Sequence, residues 1–285
     1  MVAGRRRGEA ATAAGQHGKQ FELVGDDRGG VTVVLDGSPQ SHVQLDDPGL
    51  LVFEYVQHLA LVVDTLPPGP LAVTHVGGAG LTLPRYVNHV RPGSPQITLE
   101  PDTALMEAVR RELPLPRQHR IRVRPVDGLS GMARLADASA DVVVLDAYAG
   151  GQVPAELTTT AYLGDMGRVL RPDGVALLNL ADEPGLRYVA RVLASMRATK
   201  LFAQTALVAT HEVLKGKRFG NTVVVAGRGS LDVGAIRRAV ARAAFPTGVR
   251  SGDELVRLTA GARPFTDDDA APSPPPPDTR AWRLR

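Results

Sequence analysis

The sequence contains no cysteine, which excludes disulfides, thiolate nucleophiles and sulfur-ligated metal and is compatible with a reducing cytoplasm. Long apolar runs are missing too. The most apolar window, residues 50–63, is broken by Glu54, Gln57 and His58, so no membrane span is predicted. The first twenty residues hold no apolar core segment, which argues against a signal peptide and for a cytoplasmic protein. Charge of one sign is scarce: the net charge is +3 and the arginines at 5–7 form the one basic run, so nucleic-acid binding is not implied. The seven histidines show no metal-ligand spacing, and neither a G-x-S-x-G elbow nor a lysine of Walker type after the glycines is present. No metal site is therefore predicted.

What is present is enough for a full core. With 285 residues, 44% hydrophobic and 22% charged, one large domain with a small appendage fits the length. Residues 1–19 are rich in Ala, Gly and Arg without periodicity and are predicted disordered. Residues 20–69 read as a subdomain made of a β-hairpin (21–24 and 31–35) and a helix (51–66) stopped by Pro67-Pro68-Gly69-Pro70. That helix carries Tyr55 and His58, three residues apart, on one face. Residues 70–262 alternate short apolar runs with helical patterns, which predicts a parallel sheet covered by helices. Two further runs, 201–214 and 222–226, have no helical pattern between them and should pair antiparallel. This combination is a class I methyltransferase-like (Rossmann-like) α/β arrangement rather than that of a nicotinamide dehydrogenase. Residues 263–285 turn acidic and then proline-rich, predicting an extended, mobile tail.

The sheet opens on residues 71–100: an apolar run, the glycines Gly77, Gly78 and Gly80, a helical pattern, and a second run closed by Glu100. Glycine is needed where a strand turns at once into a helix and a ligand must approach the backbone. An acid about twenty residues on can take both ribose hydroxyls of a nucleoside. The dinucleotide fingerprint is incomplete, because its third glycine is replaced by Leu83. Asp127, followed by Gly128, and Asp146 end two more strands, so three acids stand at the strand ends where an open parallel sheet binds its ligand. The natural roles are Glu100 to the ribose diol, Asp127 to the adenine amino group, and Asp146 at the reacting end, where a carboxylate can take a proton from an attacking amine.

At these residues the chain resembles the spermidine synthase family of polyamine aminopropyltransferases, more closely its spermidine-synthase-like branch in actinobacteria. The resemblance spans residues 21–263 and rests on Leu35-Asp36-Gly37 with Gln40, Val76-Gly77-Gly78-Ala79-Gly80, Glu100, Asp127-Gly128, Asp146, Leu170-Arg171-Pro172-Asp173-Gly174 and Arg218-Phe219-Gly220-Asn221. It implies Asp146 as catalytic acid-base residue, Gln40 and Tyr55 lining the pocket from the N-terminal side with Tyr55 beside the chemistry, and Glu100 and Asp127 holding the nucleoside. It also implies S-adenosylmethionine or its decarboxylated form as co-substrate, a small amine as acceptor, and a homodimer. Two departures stand out. The family's turn carries an aspartate where this chain has Ala79, and its Asp-x-x-Asp loop here reads Asp146-Ala147-Tyr148-Ala149, so two carboxylates that grip ammonium groups are absent. Three functions follow: alkyl transfer to an amine, methyl transfer from S-adenosylmethionine to an unknown acceptor, and silent nucleoside binding.

Overall fold

The computed structural model describes residues 11–14 and 20–277. An N-terminal antiparallel sheet runs in order through β1 (Ala11–Ala14), β2 (Gln20–Gly25), β3 (Gly30–Leu35) and β4 (Ser38–Gln44). Helix α1 (Glu54–Thr65) leads into β5 (Val73–Val76), α2 (Thr82–Val90), β6 (Gln96–Leu99), α3 (Thr103–Glu112), β7 (Ile121–Arg124), α4 (Gly128–Ala133), β8 (Ala140–Leu145), α5 (Thr160–Val169), β9 (Leu170–Asp182) and α6 (Arg187–Thr199). The chain continues through β10 (Gln204–Thr210), a single helical turn α7 (His211–Leu214), β11 (Gly220–Gly227), α8 (Val233–Val240), β12 (Thr247–Ser251) and α9 (Asp253–Leu258).

The second sheet has eight strands in the order β12-β10-β11-β9-β8-β5-β6-β7. Strands β5 to β9 are parallel, while β11 pairs antiparallel with both β9 and β10. The fold is thus the class I methyltransferase-like arrangement. Its central strands are short and apolar because both faces are covered: Val73 to Val76 and Val142 to Leu145 are all buried. One core, around Leu145, Leu163, Met166 and Leu178, lies on one face; another, around Leu59, Val63, Val87 and Val144, lies on the other. No helix among the described residues is long and apolar enough to cross a membrane.

Three boundaries differ from the sequence reading. Within the arm expected to be disordered, residues 11–14 form β1 and pair with β2; the rest of that arm lies outside the described residues. Helix α1, assigned above to the hairpin subdomain, packs instead in the core of the large sheet, with Val56, Leu59 and Val63 beside α2 and β8. The guanidinium of Arg91 locks it there by donating to the carbonyls of Val63 and Leu66 at 2.8 Å each, at the negative end of the helix. The N-terminal sheet makes its own core, in which Phe21, Leu23, Val33 and Val43 meet Leu81 and the α3 residues Leu105, Met106 and Val109.

The third difference is the C-terminal segment, which is packed over residues 263–277. Phe265 is 1% exposed, its ring 5.4 Å from that of Tyr188 and 3.9 Å from the Arg191 guanidinium carbon. The expectation is an extended, mobile tail; the described part is instead packed through burial of one aromatic, which composition does not report. Phe265→Ala should cost about 3–5 kcal/mol of stability, read as a lower urea midpoint at unchanged slope. A midpoint equal to the wild type would contradict this packing. Residues 278–285 lie outside the described residues.

Candidate functional site

Strand order reverses between β5 and β8, and a ligand of an open α/β sheet sits outside the carboxyl ends at that switch point. Gly77 follows β5 and Asp146 follows β8. Here φ is +90° at Gly77, and a Cβ would lie 2.1 Å from the Asp146 carbonyl oxygen, so only glycine fits. Gly78 turns its N–H to Glu100 Oε2 at 2.9 Å, while Glu100 Oε1 accepts from the N–H of Asp102 at 3.1 Å. Burial raises the Glu100 pKa, and the backbone donors Asp102, Gly78 and Ala79 oppose that rise.

These residues wall a cavity of about 300 Å³ that also takes in Gln40, Ser41, Tyr55, Asp127, Gly128 and Tyr148. Gly80 is the exception among the predicted site residues. It does not line the cavity: its N–H donates to Ser41 Oγ at 2.9 Å, and a Cβ there would lie 2.6 Å from the same oxygen. Glycine at 80 lets the N-terminal sheet close down on the turn. Gly128 does a similar service at the next strand end, where a Cβ would stand 2.5 Å from Val76 Cγ1. Asp127 caps α4 by accepting from the N–H of Ser130 at 2.7 Å, and this bond, ahead of a smaller opposing effect of burial, lowers its pKa.

Asp146 is the acid at the β8 end of the site. Burial pushes its pKa up to about 6, against which the Asn179 amide acts by donating to Oδ1 at 2.8 Å. Asn179 Oδ1 in turn accepts from Asn221 Nδ2 at 2.9 Å; the same amide donates to the Tyr148 hydroxyl at 3.1 Å, and Tyr148 donates to the Asn179 carbonyl at 3.1 Å. Strands β8, β9 and β11 are therefore tied together by one polar ring beneath the carboxylate. Tyr148, Asn179 and Asn221 were not among the predicted site residues. A signal existed for Asn179, a lone amide within the apolar run 175–180.

Tyr55 reaches the cavity from α1, and its hydroxyl donates to the Gln40 carbonyl at 3.0 Å, joining the helix to the N-terminal sheet. Burial, with the Asp146 charge second, raises its pKa well above 10. It stays a phenol with its proton spent on a backbone oxygen, which gives it the geometry of a wall and a tether rather than of a proton carrier. His58, expected on the same face, faces elsewhere: it is buried against Thr247, Nε2 to Oγ1 3.1 Å. His75 lies under the glycine turn, bonded to Gln96 Oε1 at 2.8 Å and held neutral by burial, which lowers its pKa to about 4.

The loop after β8 turns at Gly150 and Gly151, both with positive φ. The C-terminal segment holds it: Val153 N–H donates to Ser273 Oγ at 2.9 Å, Gln152 Nε2 to the Ser273 carbonyl, and Pro276 packs on Gly151. In charge the cavity is one-sided. Glu100, Asp102, Asp127, Asp146 and Glu156 line it, with no lysine or arginine. Such a field repels a pyrophosphate and attracts a cation. Among the described residues no group of three or more His, Asp or Glu side chains is placed to hold a metal ion.

No protein-family model matches the chain. A polyamine aminopropyltransferase from Chromobacterium violaceum is 24% identical over 141 residues, 49% of this chain and 53% of that protein, so the match spans about half the length of that relative. The crystal structure of a probable spermidine synthase from Corynebacterium glutamicum superposes with a TM-score of 0.83 at 28% identity, covering 91% of this chain and 97% of that one. Spermidine synthase from Thermotoga maritima, at TM-score 0.57 and 15% identity over 90% of this chain and 85% of that one, shares the fold. A spermidine synthase in complex with the transition-state analogue AdoDATO does so at 0.58 and 18%, over 88% and 83%. Over nearly all of its length, the chain is similar to the spermidine synthase family of polyamine aminopropyltransferases.

Proposed function

We propose that the protein is a transferase that moves an aminopropyl or related alkyl group from a sulfonium nucleoside of the S-adenosylmethionine type to an amine. The observation that carries this reading is the carboxylate of Asp146 at the switch point, in a cavity whose charged walls are all acidic. Glu100 would take the ribose diol on lone pairs not used by Gly78 and Asp102, and Asp127 would take the adenine amino group. The neutral amine attacks the carbon next to sulfur. A C–N bond forms, the C–S bond breaks with its electron pair going to sulfur, and a neutral thioether nucleoside leaves. Asp146 takes one proton from the bound ammonium, which frees the nitrogen lone pair for this attack, and then passes that proton to solvent. Tyr55 and Gln40 serve as the wall on the N-terminal side.

Methyl transfer from S-adenosylmethionine is the second reading. Ala79 and Ala149 favour it, since a primary ammonium on a decarboxylated donor finds no carboxylate at either position. Calorimetry separates the two. Methylthioadenosine and decarboxylated S-adenosylmethionine should each bind one site, the latter at least as tightly as S-adenosylmethionine. Binding of S-adenosylmethionine alone would favour methyl transfer, and binding of none would reject the nucleoside site.

A further inference from the structure

We propose that Asn221 is a positioning residue for Asp146: with Tyr148 it fixes the sense of a one-way chain of hydrogen bonds that ends with an Asn179 N–H aimed at the carboxylate. This deepens the alkyl-transfer reading and rests on it.

A side-chain amide can present either its oxygen or its nitrogen, and the partner it must satisfy decides which. The Asn179 backbone carbonyl can only accept. Its bond from the Tyr148 hydroxyl at 3.1 Å therefore uses the one proton of the phenol. The phenol oxygen is left as an acceptor, so the Asn221 atom 3.1 Å from it has to be the nitrogen. The second hydrogen of that nitrogen goes to Asn179 Oδ1 at 2.9 Å. With its oxygen taken, Asn179 meets Asp146 through Nδ2, 2.8 Å from Oδ1. Each step follows from the one before, and the chain begins and ends on Asn179, which is 1% exposed.

The opposite sense would do opposite work. Were Asn221 to present its oxygen, Tyr148 would turn its proton to that oxygen, Asn179 would give it Nδ2, and Asn179 Oδ1 would face Asp146. Two acceptors then meet unless Asp146 is protonated, and the Asn179 carbonyl loses the phenol. Acting through Asn179, Asn221 thus holds Asp146 in the ionised form that can take a proton from an amine. The other titratable groups of the cavity are His75 from β5, neutral with a pKa of about 4, Tyr55 from α1 and Tyr148, both raised well above 10, and the carboxylates of Glu100, Asp102, Asp127 and Glu156. A substitution at Asn221 leaves all of these in place.

The test follows the Asp146 carboxyl carbon by NMR in a pH titration of the full chain, the resonance being assigned by its absence from Asp146→Asn. The wild type is expected to titrate at about 6. Asn221→Leu, which keeps the volume and removes the amide, should raise that pKa by about 0.5–1 pH unit, and Asn179→Leu by about one or more. In the Asn179→Leu background, Asn221→Leu should add less than about a third of its effect in the wild type, because the chain is already cut. A merely structural role would give the same increment in both backgrounds. Tyr148→Phe keeps the ring, removes the proton that orients Asn221, and should raise the pKa in the same direction; it decides the matter if Asn221→Leu does not fold. The acid limb of the kcat/KM profile should move with the resonance. An Asp146 titration unchanged in Tyr148→Phe or in folded Asn221→Leu, or an equal further rise in the Asn179→Leu background, overturns the inference. A protein that shows these shifts yet transfers no alkyl group keeps the chain of bonds and loses the alkyl-transfer reading.

Discussion

Asp146→Asn is expected to lower turnover by roughly a hundredfold or more while methylthioadenosine affinity changes by less than about threefold. Asparagine keeps the shape and the acceptor for Asn179 but cannot take a proton. The pH dependence follows from the same group. With a pKa raised to about 6, the carboxylate loses its charge as pH falls through that value, and kcat/KM of the wild type should drop about tenfold per pH unit below it. Stability moves the other way. The unfolded chain releases this proton near pH 4, so the folded state loses stability as pH rises from about 4 to about 6 and bears the full penalty above. Asparagine never bears it. The variant should therefore be more stable than the wild type at neutral pH, by about 1–2 kcal/mol after allowance for the solvent that reaches the site, and equal to it below about pH 4. If Asp146 only tied down the loop that follows it, the variant would melt earlier, with binding and turnover falling together.

Glu100→Ala should weaken methylthioadenosine by at least about tenfold, and by about a hundredfold if both ribose hydroxyls bond to the carboxylate at about 1.5 kcal/mol each. Part of that loss is indirect, because the same substitution releases the N–H groups of Gly78 and Asp102. Glu100→Gln separates the contributions. It retains one acceptor oxygen for the turn and should recover the melting temperature more fully than the affinity. Unchanged affinity in both variants would remove Glu100 from the nucleoside site.

The α/β alternation was legible because the central strands are uniformly apolar and the helices periodic, and the strand ends could be read from acids that interrupt those runs. What escaped was structure made by pairing. Strand β4 is mostly polar (Ser-Pro-Gln-Ser-His-Val-Gln) and becomes a strand through its register with β3; β12, with Gly248 as its second residue, does so through β10. Each lacks the alternation that a half-buried strand shows when its partner is ignored. The glycine cluster misled in one respect. Pattern alone could not divide it into Gly77 and Gly78, which face the cavity, and Gly80, which faces Ser41 and Val43 of the N-terminal sheet. Helix α1 was placed with the wrong layer for a related reason: its apolar stripe was visible, but the surface it meets lies more than a hundred residues later in β9 to β11 and α8. The polar ring of Tyr148, Asn179 and Asn221 closes only when β8, β9 and β11 lie side by side.

Incubation of the wild-type protein with decarboxylated S-adenosylmethionine and a series of small mono- and diamines at about pH 8, followed by chromatography for methylthioadenosine, tests alkyl transfer most directly. The account predicts amine-dependent release of methylthioadenosine in equal amount with the N-alkylated amine, abolished to within background by Asp146→Asn. It is contradicted if the donor survives intact with every mono- and diamine tried, or if S-adenosylmethionine is consumed in its place with S-adenosylhomocysteine as product.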